Sequence, residues 1–303
     1  MSRKRKGNPI DGIIVLNKPK GISSNHALQR VKHIFNAQKA GHTGSLDPMA
    51  TGVLPICFGQ TTKLSQYLLD SDKEYIATIQ LGVRTDSGDA EGNIISTQEV
   101  DKFSDNHIVG VLKKFTGRLS QTPPMYSALK HQGQPLYKLA RQGIEIKREP
   151  RNIEIKSLEC LEYNSKQKTI KINVKCTKGT YIRSLAMDIG NELNCGAHLT
   201  QLERTACGLL TSRNMVDLIT IEDLPIKQQL DLIYNSEYPF TDKPIFTIPC
   251  GQIQEFRNSG KIINTEGLNG IVRLYSDIDQ FIALAFFNNG LLIKKQLFLQ
   301  GTT

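Results

Sequence analysis

Asp47 is the one carboxylate in the stretch Gly41-His42-Thr43-Gly44-Ser45-Leu46-Asp47-Pro48-Met49-Ala50-Thr51-Gly52, which also carries three glycines and a proline. Glycine opens backbone angles closed to other residues, while Pro48 fixes its own φ and pushes Asp47 towards extended geometry. A loop of this make-up can hold a side chain rigidly, and a carboxylate held in that way can serve as base or nucleophile. The same spacing also suits an Asx-type turn before proline. The rest of the chain has to decide between the two.

The motifs that would hand the chemistry to a bound group are missing. There is no G-x-x-x-x-G-K-[ST], no G-x-G-x-x-G opening a helix, no H-E-x-x-H and no G-x-S-x-G. The cysteines Cys57, Cys160, Cys176, Cys195, Cys207 and Cys250 are scattered without a C-x-x-C pair, and Cys195 with His198 forms the only ligand-like spacing. No metal and no organic cofactor is therefore expected. The acidic segment 86–92 does not match the calcium-loop spacing and reads as a connection between strands.

The chain has 303 residues, with 38 Lys+Arg against 29 Asp+Glu for a formal charge of +9, which favours an acidic partner such as nucleic acid. Its length suits one large domain and a smaller one. No apolar stretch approaches the roughly 18 residues of a spanning helix, and the polar N-terminus lacks a secretory segment, so a cytoplasmic protein is expected. Basic residues recur in an irregular segment at 121–151, where Lys130, Arg141 and Arg148 interleave with Tyr126 and Tyr137. Cations that neutralise phosphates beside rings that stack on bases suit an RNA-contacting flap, although a solvated basic loop has the same composition.

The elements that must position Asp47 can be read from periodicity. Residues 12–16 form a short buried strand, and Ser23 or Ser24 can cap a helix whose stripe is Ala27, Leu28, Val31, Ile34 and Phe35. Residues 62–69 predict a short helix and 74–82 a strand, with Tyr75, Ala77, Ile79 and Leu81 on one face. Residues 168–176 alternate as a half-exposed strand. Ile182, Leu185, Ala186, Ile189 and Leu193 then give a helical stripe that places Arg183 in a first turn, where a cation opposes the helix dipole; an anionic partner elsewhere would explain it, as would exposure to solvent. Residues 213–245 read as a helical segment with a proline-containing linker, and the run from about 245 as a small β-rich unit.

Taken together these residues resemble the TruB family of tRNA pseudouridine synthases. The resemblance runs through residues 15–24, the loop 41–48, Tyr75 with 81–86, the segment 124–130, and 179–183 leading to 196–199. It implies an α+β pseudouridine synthase fold: a central mixed, largely antiparallel sheet flanked by helices, and a small C-terminal PUA-like domain. The implied organisation is a basic tail at 1–9, a catalytic domain at 10–245 with its flap at 121–151, and the PUA-like domain at 246–303. The implied activity is isomerisation of uridine to pseudouridine at position 55 in the T-arm of tRNA, without cofactor, by a monomer that needs no protein partner. Asp47 maps to the nucleophile, Arg183 to its ion-pair partner, and Tyr75 to a residue that stacks on the base and takes part in proton transfer. Tyr181 and Leu202 map to the uridine pocket and His42 to a contact with the T-loop. An RNA-binding or tRNA-folding protein, and a carboxylate-dependent hydrolase, are the competing readings. The hydrolase would need a second placed carboxylate or a metal.

Overall fold

The computed structural model describes residues 6–263, 269–288 and 290–297. Residues 1–5 of the basic tail, and positions 264–268, 289 and 298–303 of the C-terminal segment, lie outside the described residues.

Gly12–Lys18 is apolar on both faces, as a strand in the middle of a sheet should be. Ile14 and Leu16 enter one core cluster, Ile13 and Val15 another, and all four are fully buried. The strand pairs antiparallel with Thr51–Phe58 along its whole length and parallel with the short Val216–Asp217. Thr169–Cys176 alternates instead: Ile170, Ile172, Val174 and Cys176 are buried while the residues between them are exposed or half-buried. Its neighbours on the two sides are Lys73–Leu81 and Arg151–Asn164, both antiparallel.

These strands belong to one ten-stranded sheet. Eight strands form its path, Val216–Asp217, Gly12–Lys18, Thr51–Phe58, Ala197–Cys207, Lys73–Leu81, Thr169–Cys176, Arg151–Asn164, Gly117–Gln121, while Ala40–His42 pairs with Thr51–Phe58 and Leu210–Thr211 with Ala197–Cys207 off that path. The sheet is mixed and largely antiparallel, the class the sequence implies. Its two halves meet where Ala197–Cys207 lies parallel to Thr51–Phe58, and only Glu203 with Thr51 and Arg204 with Gly52 are paired there. Gly52 has φ +97°, and a Cβ at this position would lie 2.3 Å from the Arg204 carbonyl oxygen. Glycine is needed both for the angle and for the close approach.

Helix Ile182–Glu192 packs on Ala197–Cys207, and the approach is close at Gly190, where a Cβ would lie 2.3 Å from the Ala197 nitrogen. Helix Ser24–Ile34 begins at Ser23, whose hydroxyl accepts from the His26 N–H. The C-terminal residues form a five-stranded sheet with its own core around Phe246, Phe256, Leu274 and Phe287, and Leu284 joins the cluster beneath Ile13 and Val15.

Three long or edge strands carry no clear periodic signal in the sequence, for a physical reason. Arg151–Asn164 shifts register between Ile155 and Ser157 and again between Cys160 and Glu162; Ala197–Cys207 does so between Leu199 and Gln201 and between Arg204 and Ala206. Each bulge inverts the alternation on which a strand is recognised. Gly117–Gln121 is a short edge strand of mixed burial. The expected helix at 62–69 divides into a 3-10 turn, Gly59–Leu64, and an α-helix, Ser65–Asp70. Within the β-rich C-terminal unit, Cys250–Ser259 is a helix that buries only Phe256, too little apolar surface to leave a stripe in the sequence.

Gly52→Ala should destabilise the fold by at least about 1 kcal/mol, since the added Cβ meets backbone rather than a movable side chain. Chemical denaturation of the two proteins measures the difference, and an unchanged midpoint would contradict the close approach.

Candidate active site

The Asp47 loop is tied down along its length. The Thr43 N–H donates to the Pro55 carbonyl at 3.0 Å, and the buried Ser24 hydroxyl both accepts from the Leu46 N–H at 2.7 Å and donates to the Leu46 carbonyl at 3.0 Å. The Ala50 N–H closes a turn on the Asp47 carbonyl at 3.1 Å, and the Gly21 N–H reaches the Pro48 carbonyl at 2.8 Å. Lys18, fully buried, donates from Nζ to the carbonyls of Pro19 and Ile22 at 2.8 Å and of Pro48 at 3.3 Å. Burial pushes its ammonium down to about 8, against the opposing pull of Asp47. Segments 17–24 and 41–52 thus form one cross-braced unit with Asp47 at its tip.

Arg183 is the hub to which Asp47 is joined. Its side chain is only 5% exposed and places Nε 2.9 Å from Asp47 Oδ2. Nη1 donates to the Ser87 carbonyl at 3.0 Å and lies 3.5 Å from Asp89 Oδ2, while Nη2 donates to the Tyr126 carbonyl at 2.6 Å. Each of its three nitrogens has a partner. The cation sits in the first turn of its helix, a site the dipole disfavours, because two carboxylates and two carbonyls surround it there.

Asp89 is the part of this cluster that the sequence concealed. It lies in the acidic connection at 86–92, is buried, and accepts from the Ser87 hydroxyl at 2.6 Å and the Glu91 N–H at 3.1 Å. Nothing in its local spacing separates it from an ordinary turn aspartate, since its partner Arg183 is far away in the chain. It is not the second catalytic carboxylate a hydrolase would need, because its oxygens are committed to these donors behind Arg183.

Asp47 and Arg183 open into a cleft of about 320 Å³ whose lining includes Tyr75, Tyr181, Leu202 and Arg204, together with Ser127 and Ala128. Surrounding protein displaces water from the Asp47 carboxyl and raises its pKa; Asp89 adds to the rise, while Arg183 and then Lys18 pull against it. Asp47 remains 41% exposed on its side chain, so it faces the cleft from a partly dry floor. Burial pushes the Tyr75 phenol up to about 12, and burial raises the Tyr181 phenol as well. Tyr181 is fixed by its backbone: its N–H donates to Gln121 Oε1 at 2.8 Å and its carbonyl accepts from Gln121 Nε2 at 3.1 Å. Gln121 opens the 121–151 segment, so one end of that segment is anchored at the cleft.

Four of the residues suggested by sequence, Tyr75, Tyr181, Leu202 and Arg183, therefore share the cleft with Asp47. His42 does not line it. It sits on the short strand Ala40–His42, opposite Ile56, and burial followed by the charge of Arg204 lowers its imidazole pKa. Lys130 and Arg141 are exposed, the latter 5.7 Å from the centre of the Tyr137 ring, whereas Arg148 is half-buried and bonded to Glu145 at 3.1 Å. Arg204, Gln121 and Lys18 were not singled out by sequence as site residues; a lone Arg or Gln in a strand, or a Lys at a turn, has many other uses. Among the described residues no cluster of His, Cys, Asp and Glu is arranged to hold a metal.

The N-terminal domain of the TruB family pseudouridylate synthases matches residues 32–182, and the C-terminal domain of tRNA pseudouridylate synthase B matches residues 183–234. A tRNA pseudouridine synthase B from Francisella philomiragia subsp. philomiragia is 53% identical over 292 residues, covering 96% of each chain. The chain belongs to the TruB family. Its relatives of the same name in Francisella tularensis are 52% identical in subsp. holarctica and 51% in subsp. novicida, again across 96% of both chains. The TruB-family fold extends to more distant solved structures. A Cbf5-Nop10-Gar1 complex has a chain with TM-score 0.73 at 24% identity, over 95% of this chain and 85% of that one. An H/ACA RNP bound to a substrate RNA containing 2′-deoxyuridine has one with TM-score 0.72 at 21% identity, over 99% and 92%. No helix among the described residues of this TruB-family chain is long and apolar enough to cross a membrane.

The raised pKa of Asp47 carries a signed consequence for stability. A carboxyl whose folded pKa lies above its unfolded value makes ionisation a cost to the fold, absent below the unfolded pKa and fully present above the folded one. Asp47→Asn should therefore melt at a higher temperature than the unaltered protein near pH 7, with the gap closing as the pH falls towards about 4. Thermal denaturation across that range measures it; a lower melting temperature for the Asn variant at neutral pH would reverse the assignment.

Proposed function

We propose that this chain converts uridine to pseudouridine at position 55 in the T-arm of tRNA, with Asp47 as the reacting carboxylate. Membership of the TruB family supports the isomerisation, and the relatives' shared name supports tRNA as its substrate. The observation that carries the assignment to Asp47 is its pairing with a buried Arg183 on the floor of a cleft walled by Tyr75, Tyr181 and Leu202.

The reaction breaks the C1′–N1 bond, turns the freed uracil and joins C5 to C1′; the C5 proton is lost and N1 gains one, so the product is an isomer and no redox partner is needed. Asp47 must enter ionised. Arg183 favours that form against the burial that opposes it, and holds one of the Asp47 oxygens. In this reading the carboxylate either attacks the sugar directly or begins by removing a proton. Tyr75 stacks on the base, and its phenol stays protonated at neutral pH because burial holds its pKa so high. Tyr181 and Leu202 close the sides of the uridine pocket.

A uridine stacked in the tRNA elbow must be flipped out, which costs a few kcal/mol and has to be offset by contacts of the enzyme. The exposed cations Lys130 and Arg141, with Arg148 at the edge of the same segment, would supply phosphate contacts, and His42 a contact with the rearranged T-loop. Because unstacking precedes chemistry, assistance to tRNA folding belongs to the same proposal and would survive loss of Asp47.

Incubating the protein with an unmodified tRNA transcript, without added metal or cofactor, and mapping pseudouridine tests the proposal; product at uridine 55 alone is expected, and no product would refute it. Asp47→Asn should keep tRNA affinity within a few-fold and abolish product, whereas turnover near that of the unaltered protein would remove Asp47 from the mechanism. Neutralising Lys130, Arg141 and Arg148 together should weaken tRNA binding and flatten its dependence on salt. An unaltered salt slope would take the flap off the binding surface.

A further inference from the structure

The cleft contains a second buried guanidinium that the proposed chemistry leaves without a role. Arg204 is 1% exposed, and among the described residues no carboxylate lies within ion-pair distance of it. A buried cation with no counter-ion is costly to keep and calls for an explanation. Its bonds supply one. Nε donates to the Val53 carbonyl at 2.7 Å and Nη2 to the Gly44 carbonyl at 3.2 Å, so one fork holds the chain just before and just after Asp47. Its backbone meets Gly52 at the two-pair junction between the halves of the sheet, and across the antiparallel side it stands directly opposite Tyr75. Both side chains line the cleft there, and the charge of Arg204 opposes the burial that raises the Tyr75 phenol.

We infer that Arg204 is a positioning residue for the proposed reaction, acting on both Asp47 and Tyr75: it closes the Asp47 loop into a ring, and it occupies the Tyr75 oxygen as an acceptor so that the phenolic proton points away from the guanidinium and into the cleft. The inference rests on the functional reading above. A residue doing only the first task could be replaced by any tight loop clamp. The second makes the direction of the Tyr75 proton depend on Arg204, which relates it to the step in which a proton is moved. Lysine offers a charge but no planar fork, so it cannot span Gly44, Val53 and Tyr75 together. The unpaired charge also fits this task, since a carboxylate on Arg204 would compete with the Gly44 and Tyr75 oxygens for the same N–H groups.

The test is a double-variant cycle read by single-turnover kinetics and by tRNA affinity. Arg204→Lys should lower the single-turnover rate by about ten- to a hundredfold, the size expected for a charge-assisted bond, with tRNA affinity changed less than about threefold. Tyr75→Phe in the Arg204→Lys background should then cost clearly less than in the unaltered protein. A full rate in Arg204→Lys, or independent multiplicative losses, would overturn the inference. Should Arg204→Lys fail to fold, the question is put from the other side: in Tyr75→Phe, which leaves both backbone bonds of Arg204 in place, the ¹⁵N resonances of its guanidinium should move. Unmoved resonances would equally overturn it. If the unaltered protein forms no pseudouridine, the functional reading fails by itself, and the resonances still judge the contact.

Discussion

A guanidinium buried to the degree of Arg183 is costly to keep unless its donors find partners, and that requirement organises the centre of this protein. Its partners come from three separate places: Asp47 from the braced loop, Ser87 and Asp89 from the acidic connection, and Tyr126 from the base of the basic segment. Removing an acceptor oxygen outright leaves part of a buried charge unsatisfied, at a cost of several kcal/mol for the worst case, whereas Asp47→Asn keeps an oxygen in place. The helix that carries Arg183 begins where Gln121 grips the backbone of Tyr181. The positions of the base of the basic segment, the loop and the helix start are thus conditions on one another.

This arrangement also sets the electrostatics. Asp47 is drawn in two directions, raised by burial and by the nearby Asp89 and lowered by Arg183 and Lys18. A carboxylate that is neither well solvated nor fully neutralised lies higher in free energy than one in water, and ionising it draws on the stability of the fold. Lys18 repeats the theme: its ammonium is lowered to about 8 by burial but remains protonated at neutral pH, bridging three carbonyls that include that of Pro48 beside Asp47.

The cleft itself follows from the sheet. Because the halves share only two paired positions, at Thr51 with Glu203 and Gly52 with Arg204, the strands are not zipped together along the rest of their length. Asp47 leads into one half through Thr51–Phe58, and Tyr75, Leu202 and Arg204 belong to the other half. A substrate placed there would lie between elements that are each rigid, which is the requirement for preorganised catalysis.

Much of this was legible in the chain. The loop glycines and Pro48 marked Asp47, the apolar stripe from Ile182 put Arg183 at a helix start, and the alternation of Thr169–Cys176 and the apolar run of Gly12–Lys18 gave their strands, because these signals are local and survive in the order of residues. Asp89, Arg204 and Gln121 left no such signal. Their neighbours in sequence look like an ordinary turn and ordinary strand positions, and the bulges in Arg151–Asn164 and Ala197–Cys207 erased the alternation that would have placed them. What sequence determined was which residues carry reactive groups and which elements bear them. Only the tertiary structure decided which buried charges meet, since a guanidinium becomes a partner through burial and distance, and both are set by contacts between segments remote from one another in the chain.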